Sequence, residues 1–327
     1  MPRVAVVFTG GTISTVFDPV AGGNVPVLDG AAILARTPGI DEIAEVVTID
    51  RGRLAASHFT FAQLLEIAAV VREALADPTI DGAVIVQGTD TIEETSFCWD
   101  LVLDGSKPVV VTGAMLSSDM PGFDGPANLR AAVRVASAPE MRGVGTVVCL
   151  AGSIEAADDA QKSHTTALDT FGSPNFGSLG KVAGGEIVVS RERGPRRHVA
   201  TGRAADPVYL VTATVAADGV LLDAAVAAGA AGIVVAATGT GNTDPSLLAA
   251  AERAMAAGIP VALASRCPGG RATAAYAFPG AGATWLRAGA LPVGTLCALK
   301  VRVALALGLG AGLDRDGLIA LLADPAA

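Results

Sequence analysis

Short unbroken runs of β-branched and aliphatic residues alternate along the chain with longer segments rich in Ala and Leu. The runs fall at 4–8, 46–49, 82–86, 108–112, 146–150, 208–212, 232–236 and 260–264. They are continuously apolar rather than alternating, the pattern of strands covered on both faces. Between them the spacing predicts helices over 60–75, 92–103, 126–137, 219–228, 245–257, 293–307 and 315–323. Asp244 followed by Pro245 is an N-cap with proline at the first helical position. Such β–α alternation implies α/β architecture, with parallel sheets and right-handed crossovers. The rhythm breaks at 190–207, where five arginines and two prolines replace the apolar residues. The expected organisation is a larger N-terminal α/β domain with a mostly parallel sheet (1–190), a linker (191–207) and a smaller parallel-sheet α/β domain (208–327). The basic cluster reads as a solvated linker paired with the chain's own carboxylates; a nucleic-acid patch is the alternative.

Composition narrows the class. A chain of 327 residues, at about 150 per domain, agrees with two domains. Hydrophobic residues make up 51% and charged residues 17%, which excludes a disordered chain. With aromatics at only 4%, the core must be built from Ala, Val, Leu and Ile. A net charge of −9 repels phosphate backbones and argues against nucleic acid as a partner. The apolar run after Met1-Pro2-Arg3 is too short for a signal-peptide core. Two longer apolar stretches read as buried helix and strand, not as membrane spans. Gly229, Gly232, Gly239 and Gly241 interrupt one, and Lys300 and Arg302 sit inside the other. Cys98, Cys149, Cys267 and Cys297 form no CxxC pair, and His58, His164 and His198 stand far apart. Neither a disulfide framework nor a metal site is expected. Cytoplasm is the expected address.

Two segments share one local design. The run at 4–8 leads into Thr9-Gly10-Gly11-Thr12, and the run at 82–86 leads into Gln87-Gly88-Thr89-Asp90-Thr91. In each, glycine permits a sharp turn at the carboxyl end of a buried strand, the edge where open parallel sheets bind ligands. If the strands are neighbours, Thr12 and Thr89 face one crevice, with backbone N–H groups as oxyanion donors. A threonine hydroxyl is a weak nucleophile and needs a base. Asp90, Glu93 and Glu94 lie close by. Asp90 and Glu93 could equally be no more than a capping box. A phosphate site fits less well, because neither GxGxxG nor a GK[ST] ending is present.

The segments FTGGTIS (8–14), VIVQGTDTIEET (84–95), KPVVVTGAM (107–115) and DGPANL (124–129) resemble the bacterial-type L-asparaginases. Lys162-Ser163-His164-Thr165-Thr166, then Thr170-Phe171 and Asn175, continue the likeness in family order. Weaker echoes at GTGN (239–242) and ASRC (264–267) extend it into the C-terminal part. The resemblance implies that Thr12 attacks a side-chain carboxamide, while Thr89, Asp90 and Lys162 form a second hydroxyl–acid–amine set. A deprotonated Lys162 can take a proton from Thr89 or from water. Asp90 would also hold the substrate ammonium and Ser57 its α-carboxylate, with Gly11, Gly88 and Ala114 lining the site. Read without the resemblance, Lys162 is a surface lysine and Ser57 a helix cap.

Three departures from the family pattern stand out. Residues 13–30 contain no tyrosine, the chain's tyrosines being Tyr209 and Tyr276. His58 replaces the glutamine that follows the carboxylate-binding serine. The stretch 274–278 offers no acid for a neighbouring subunit's substrate. Loop 13–30, bracketed by Pro19, Gly22-Gly23 and Pro26, reads as a long irregular cover over Thr12. The resemblance implies hydrolysis of L-asparagine to L-aspartate and ammonia through an acyl-threonine, without metal or cofactor. The implied assembly is a homo-oligomer, a dimer or a tetramer of close dimers, to which Asn242 contributes in trans. The alternatives are the same chemistry on glutamine, D-asparagine or a succinamate-like amide, or a catalytically weak amino-acid-binding protein.

Overall fold

A computed structural model describes residues 1–325 of the chain. The fold divides into two compact units, Met1–Arg196 and Arg197–Ala327. In the first unit the strands are β1 (Arg3–Phe8), β2 (Thr15–Asp18), β3 (Gly23–Pro26), β4 (Glu45–Asp50), β5 (Gly82–Val86), β6 (Val109–Thr112), β7 (Thr146–Leu150), β8 (Ser153–Ala156), β9 (Gln161–Lys162), β10 (Phe171–Gly172), β11 (Gly180–Ala183) and β12 (Glu186–Val189). Its helices are α1 (Gly30–Ala35), α2 (Phe61–Ala76), α3 (Ile92–Val102) and α4 (Gly125–Ser137). Eight strands form one sheet in the order β12-β11-β8-β7-β6-β5-β1-β4. The members β4, β1, β5, β6 and β7 run parallel. The remaining pairings are antiparallel.

Every residue of β5 is buried, as are all but the first of β1. Both faces of the sheet centre are covered, as the continuous apolar runs require. The contact with α4 is close: a Cβ on Gly82 would lie 2.0 Å from the Ala136 carbonyl oxygen. Since β1 and β5 are hydrogen-bonded neighbours in register, Phe8 opposite Val86, their carboxyl ends emerge side by side. The capping residue of α2 is Thr60, in a capping box with Gln63, so Ser57 is not a helix cap.

The second unit carries β13 (Val208–Thr212), β14 (Gly232–Ala237), β15 (Val261–Ser265) and β16 (Leu291–Pro292), an all-parallel sheet in sequence order. Helices α5 (Val220–Ala227), α6 (Pro245–Ala256), α7 (Gly282–Ala288), α8 (Ala298–Gly310) and α9 (Arg315–Leu322) accompany it. Asp244 caps α6 by accepting from Ser246 N–H, with Pro245 beginning the helix. Its core joins Val211, Leu222, Ile233, Val235, Leu247, Leu263 and Trp285. Among the described residues no helix is long and apolar enough to cross a membrane.

Three regions differ from the sequence reading. Residues 15–26 form the antiparallel hairpin β2–β3, not an irregular loop. Asp18 closes its turn by accepting from Val20 and Ala21 N–H, and Gly22 takes φ 69°. Helix α8 begins at Ala298 rather than 293, because 291–292 enter the sheet and Asp324 binds Thr295 N–H and hydroxyl. The arginine-rich segment is not uniformly solvated. The Arg193 side chain is buried, donating to both oxygens of Asp100 (3.0 and 2.6 Å) and to Asp158 (2.9 Å). Arg196 adds a third ion pair with Asp100. Burial opposes the Arg193 charge, but Asp100 and Asp158 outweigh it and hold the guanidinium above its ordinary pKa. Asp100 lies in the core at the end of α3, where a carboxylate without such partners would be strongly destabilising.

Candidate active site

The turns that leave β1 and β5 pack directly against each other. Thr9 donates both its N–H and its hydroxyl to the Val86 carbonyl, each at 3.0 Å. Gly11 has φ 94°, and a Cβ there would fall 2.2 Å from the Gly88 nitrogen. Only glycine allows this approach. Thr12 then opens a short 3-10 turn, Thr12–Ser14, fixed by Ser14 Oγ donating to the Gly11 carbonyl (2.6 Å). On the other side Thr89 opens the 3-10 turn Thr89–Thr91. Helix α3 begins after Thr91 without a side-chain cap, so Asp90 and Glu93 form no capping box.

Glu93 instead accepts from Lys162 N–H (3.2 Å). This helps hold the short pair β9–β10 beside the β5 turn. Lys162 Nζ donates to Thr89 Oγ1 at 2.9 Å and to Asp90 Oδ1 at 2.6 Å. The lysine side chain is 11% exposed and that of Asp90 81% exposed. Thr89 itself is buried. A proton can therefore pass between the Thr89 hydroxyl and the Lys162 amine, while most of the Asp90 carboxylate remains open to a cationic group. An ion pair with so exposed a member adds little stability.

A cavity of about 210 Å³ opens over the two turns. It is small beside the ~300–1,000 Å³ of sites for drug-sized ligands, and suits a compact substrate. Of the residues singled out in the sequence, Gly11, Thr12, Ser57, Gly88, Thr89 and Asp90 line it, and Lys162 reaches it through Thr89 and Asp90. The remaining three do not line it. His58 is exposed on the turn Ala56–His58, and Ala114 is wholly buried beyond β6. Asn242 belongs to the second unit, bridged to Thr238. Thr15, Asn24 and Pro26 from the hairpin also line the cavity, within the segment expected to cover Thr12, and Arg53 from the segment after β4 adds a wall that local pattern did not reveal.

Hydrogen bonds behind the cavity fix these walls. The hairpin is tied to the loop after β6: Ser118 N–H and hydroxyl donate to the Thr15 carbonyl (2.9 and 2.8 Å), and Phe17 N–H donates to Asp119 (3.0 Å). That N–H, with the Ser117 hydroxyl, holds the Asp119 carboxyl below its ordinary pKa. The loop is itself anchored by Asp124, which accepts from Met115 and Leu116 N–H, and by Asn128, which donates to the Gly113 carbonyl. The buried thiols of Cys98 and Cys149 are pushed up to about 12 by desolvation, and are poor nucleophiles. A larger cavity, about 490 Å³ beside Arg130 and Arg134, is lined by no hydroxyl or thiol side chain. Among the described residues no group of three or more His, Cys, Asp or Glu could hold a metal ion.

This geometry has counterparts in known proteins. The family described as Asparaginase, N-terminal matches residues 3–194, and the Glutaminase/Asparaginase C-terminal domain matches 207–322. A probable L-asparaginase of Deinococcus radiodurans is 34% identical over 97% of this chain and 95% of its own. A glutaminase-asparaginase of Acinetobacter glutaminasificans is 35% identical over 56% of each chain. The crystal structure of a probable cytoplasmic L-asparaginase from Campylobacter jejuni superposes with a TM-score of 0.88 at 26% identity. That match covers 98% of this chain and 99% of the other. Both family matches fall in order and together span nearly the whole sequence, so the chain belongs to the asparaginase family.

Proposed function

We propose that the protein hydrolyses L-asparagine to L-aspartate and ammonia through an ester on Thr12. The observation that carries this reading is the Thr89–Lys162–Asp90 set, hydrogen-bonded at 2.9 and 2.6 Å on one wall of the cavity that Thr12 also lines. The Thr12 oxygen attacks the carboxamide carbon, and backbone N–H groups of the two glycine turns stabilise the oxyanion. The C–N bond breaks and nitrogen leaves as ammonia, taking up the proton lost from Thr12. Water, deprotonated through Thr89 and Lys162, then attacks the ester carbon; aspartate departs and the Thr12 hydroxyl is restored. Asp90 binds the substrate ammonium and Ser57 its carboxylate. A cytoplasmic address and a homo-oligomer, dimer or tetramer of close dimers with Asn242 contributed in trans, belong to the same proposal.

A second reading keeps the machinery and changes the substrate. The cavity wall carries a single carboxylate, Asp90, one of whose oxygens is bonded to Lys162, and this also accommodates an amide with a weaker demand for ammonium recognition. A coupled ammonia assay over L-asparagine, L-glutamine, D-asparagine and succinamate separates the two. The first reading expects the highest kcat/KM with L-asparagine. A higher value with succinamate favours the second, and no ammonia from any of them removes both.

A further inference from the structure

We propose that Arg53 grips the substrate's α-carboxylate and sets the enzyme's preference for amides that carry one; this rests on the amidohydrolase reading above. The backbone around Arg53 is fixed beside the nucleophile turn. Arg51 N–H donates to the Phe8 carbonyl and Leu54 N–H to the Thr9 carbonyl, each at 2.8 Å. The fit is so close that a Cβ on Gly10 would lie 2.9 Å from the Arg53 Cα. Arg53 is therefore delivered to the rim at a set position, and it lines the same cavity as Thr12, Ser57 and Asp90.

Its guanidinium is held loosely. Its ion pair is with Asp29 at 3.8 Å, both side chains are about half exposed, and among the described residues its N–H groups make no hydrogen bond. The acids facing it have other partners. Asp29 caps α1 through Ala32 N–H, and Asp50, whose pKa Arg53 helps lower, accepts from Gly30 and Gly52 N–H. An exposed pair of this kind is worth little, so exchanging Asp29 for a ligand carboxylate costs little. The gain is a bidentate, charge-assisted contact that a point charge does not match. With Arg53 the cavity offers one open anion and one open cation, the complement of a zwitterionic amino acid. Ser57 then supplies a further hydrogen bond to the same carboxylate.

The test compares L-asparagine with β-alaninamide, which keeps the amine and the amide but lacks the carboxylate. Arg53→Gln should raise the asparagine KM roughly 10- to 100-fold with kcat nearly unchanged, the scale of a lost hydrogen bond to a charged group. Its kcat/KM for β-alaninamide, read at high enzyme concentration, should match that of the unaltered protein. Arg53→Lys should recover part of the asparagine KM. An unchanged asparagine KM in Arg53→Gln, or an equal loss on both amides, would overturn the assignment. Ammonia from none of L-asparagine, L-glutamine, D-asparagine, succinamate and β-alaninamide with the unaltered protein would sink the amidohydrolase reading, and this assignment with it.

Discussion

The two strand-end turns are built alike and equipped differently. Each follows a buried strand, contains the glycine through which it touches the other, and presents a threonine on a 3-10 turn. Thr89 is buried and already bonded to an amine. Thr12 is half-buried, and among the described residues its hydroxyl has no hydrogen-bond partner. In the proposed mechanism the Thr89 turn serves proton transfer and the Thr12 turn is left free to meet a ligand. A preset proton path costs nothing to reorganise at the moment of reaction, whereas a nucleophile bonded to protein would first have to be released.

Breaking either side of this contrast should have unequal consequences. On the proposed mechanism Thr12→Ala removes the nucleophile and should cut ammonia release by roughly 10⁴-fold or more, with the melting temperature nearly unchanged. Lys162→Met keeps Thr12 and removes the proton partner, for a loss of about 10²–10⁴-fold. Equal activity of Lys162→Met and the unaltered protein would take the lysine out of the mechanism. The contact between the turns is tested by Gly11→Ala against Gly52→Ala. Both have φ above 90°, but a Cβ at Gly52 meets nothing within 4 Å. Gly52→Ala should cost about 1 kcal/mol, and Gly11→Ala at least 2–3 kcal/mol more, as denaturant unfolding would read. Similar costs would mean that the turns can separate freely.

The smallest effect concerns the hairpin. Asp119→Asn weakens the bond to Phe17 N–H and should raise proteolytic nicking of 15–26 by a few-fold at neutral pH. Because Asp119 titrates below its ordinary value, the tie is fully present at neutral pH. It is lost only as pH falls through that lowered pKa, and Asp119→Asn should lack this acid response. Nicking rates that coincide across the pH series would show that the tie does not restrain the hairpin.

How much of this was legible follows from what each residue contacts. Strands such as β5 and β14 announce themselves because both faces are buried and every position is apolar. The antiparallel edge was not legible: β8, β11 and β12 have four residues each, and β11 and β12 keep several exposed positions. Nor was the hairpin, whose four-residue strands lie among Gly and Pro. The threonines could be found from glycine at strand ends. Lys162 could not, since it reaches Thr89 across 73 positions of sequence and lies in no local pattern; the family resemblance alone pointed to it. Arg53 and Arg193 are both arginines in polar stretches, and sequence cannot say that one lines a cavity while the other's side chain is buried between two aspartates.

The central claim is that Thr12 carries the acyl group and Thr89 serves its proton traffic. Rapid acid quenching of the protein with L-asparagine, followed by peptide mass spectrometry, tests it most directly. The account predicts an aspartyl ester on the peptide containing Thr12, accumulating further in Lys162→Met as water attack slows. An ester on the peptide containing Thr89, or ammonia release with no ester on either threonine, would contradict it.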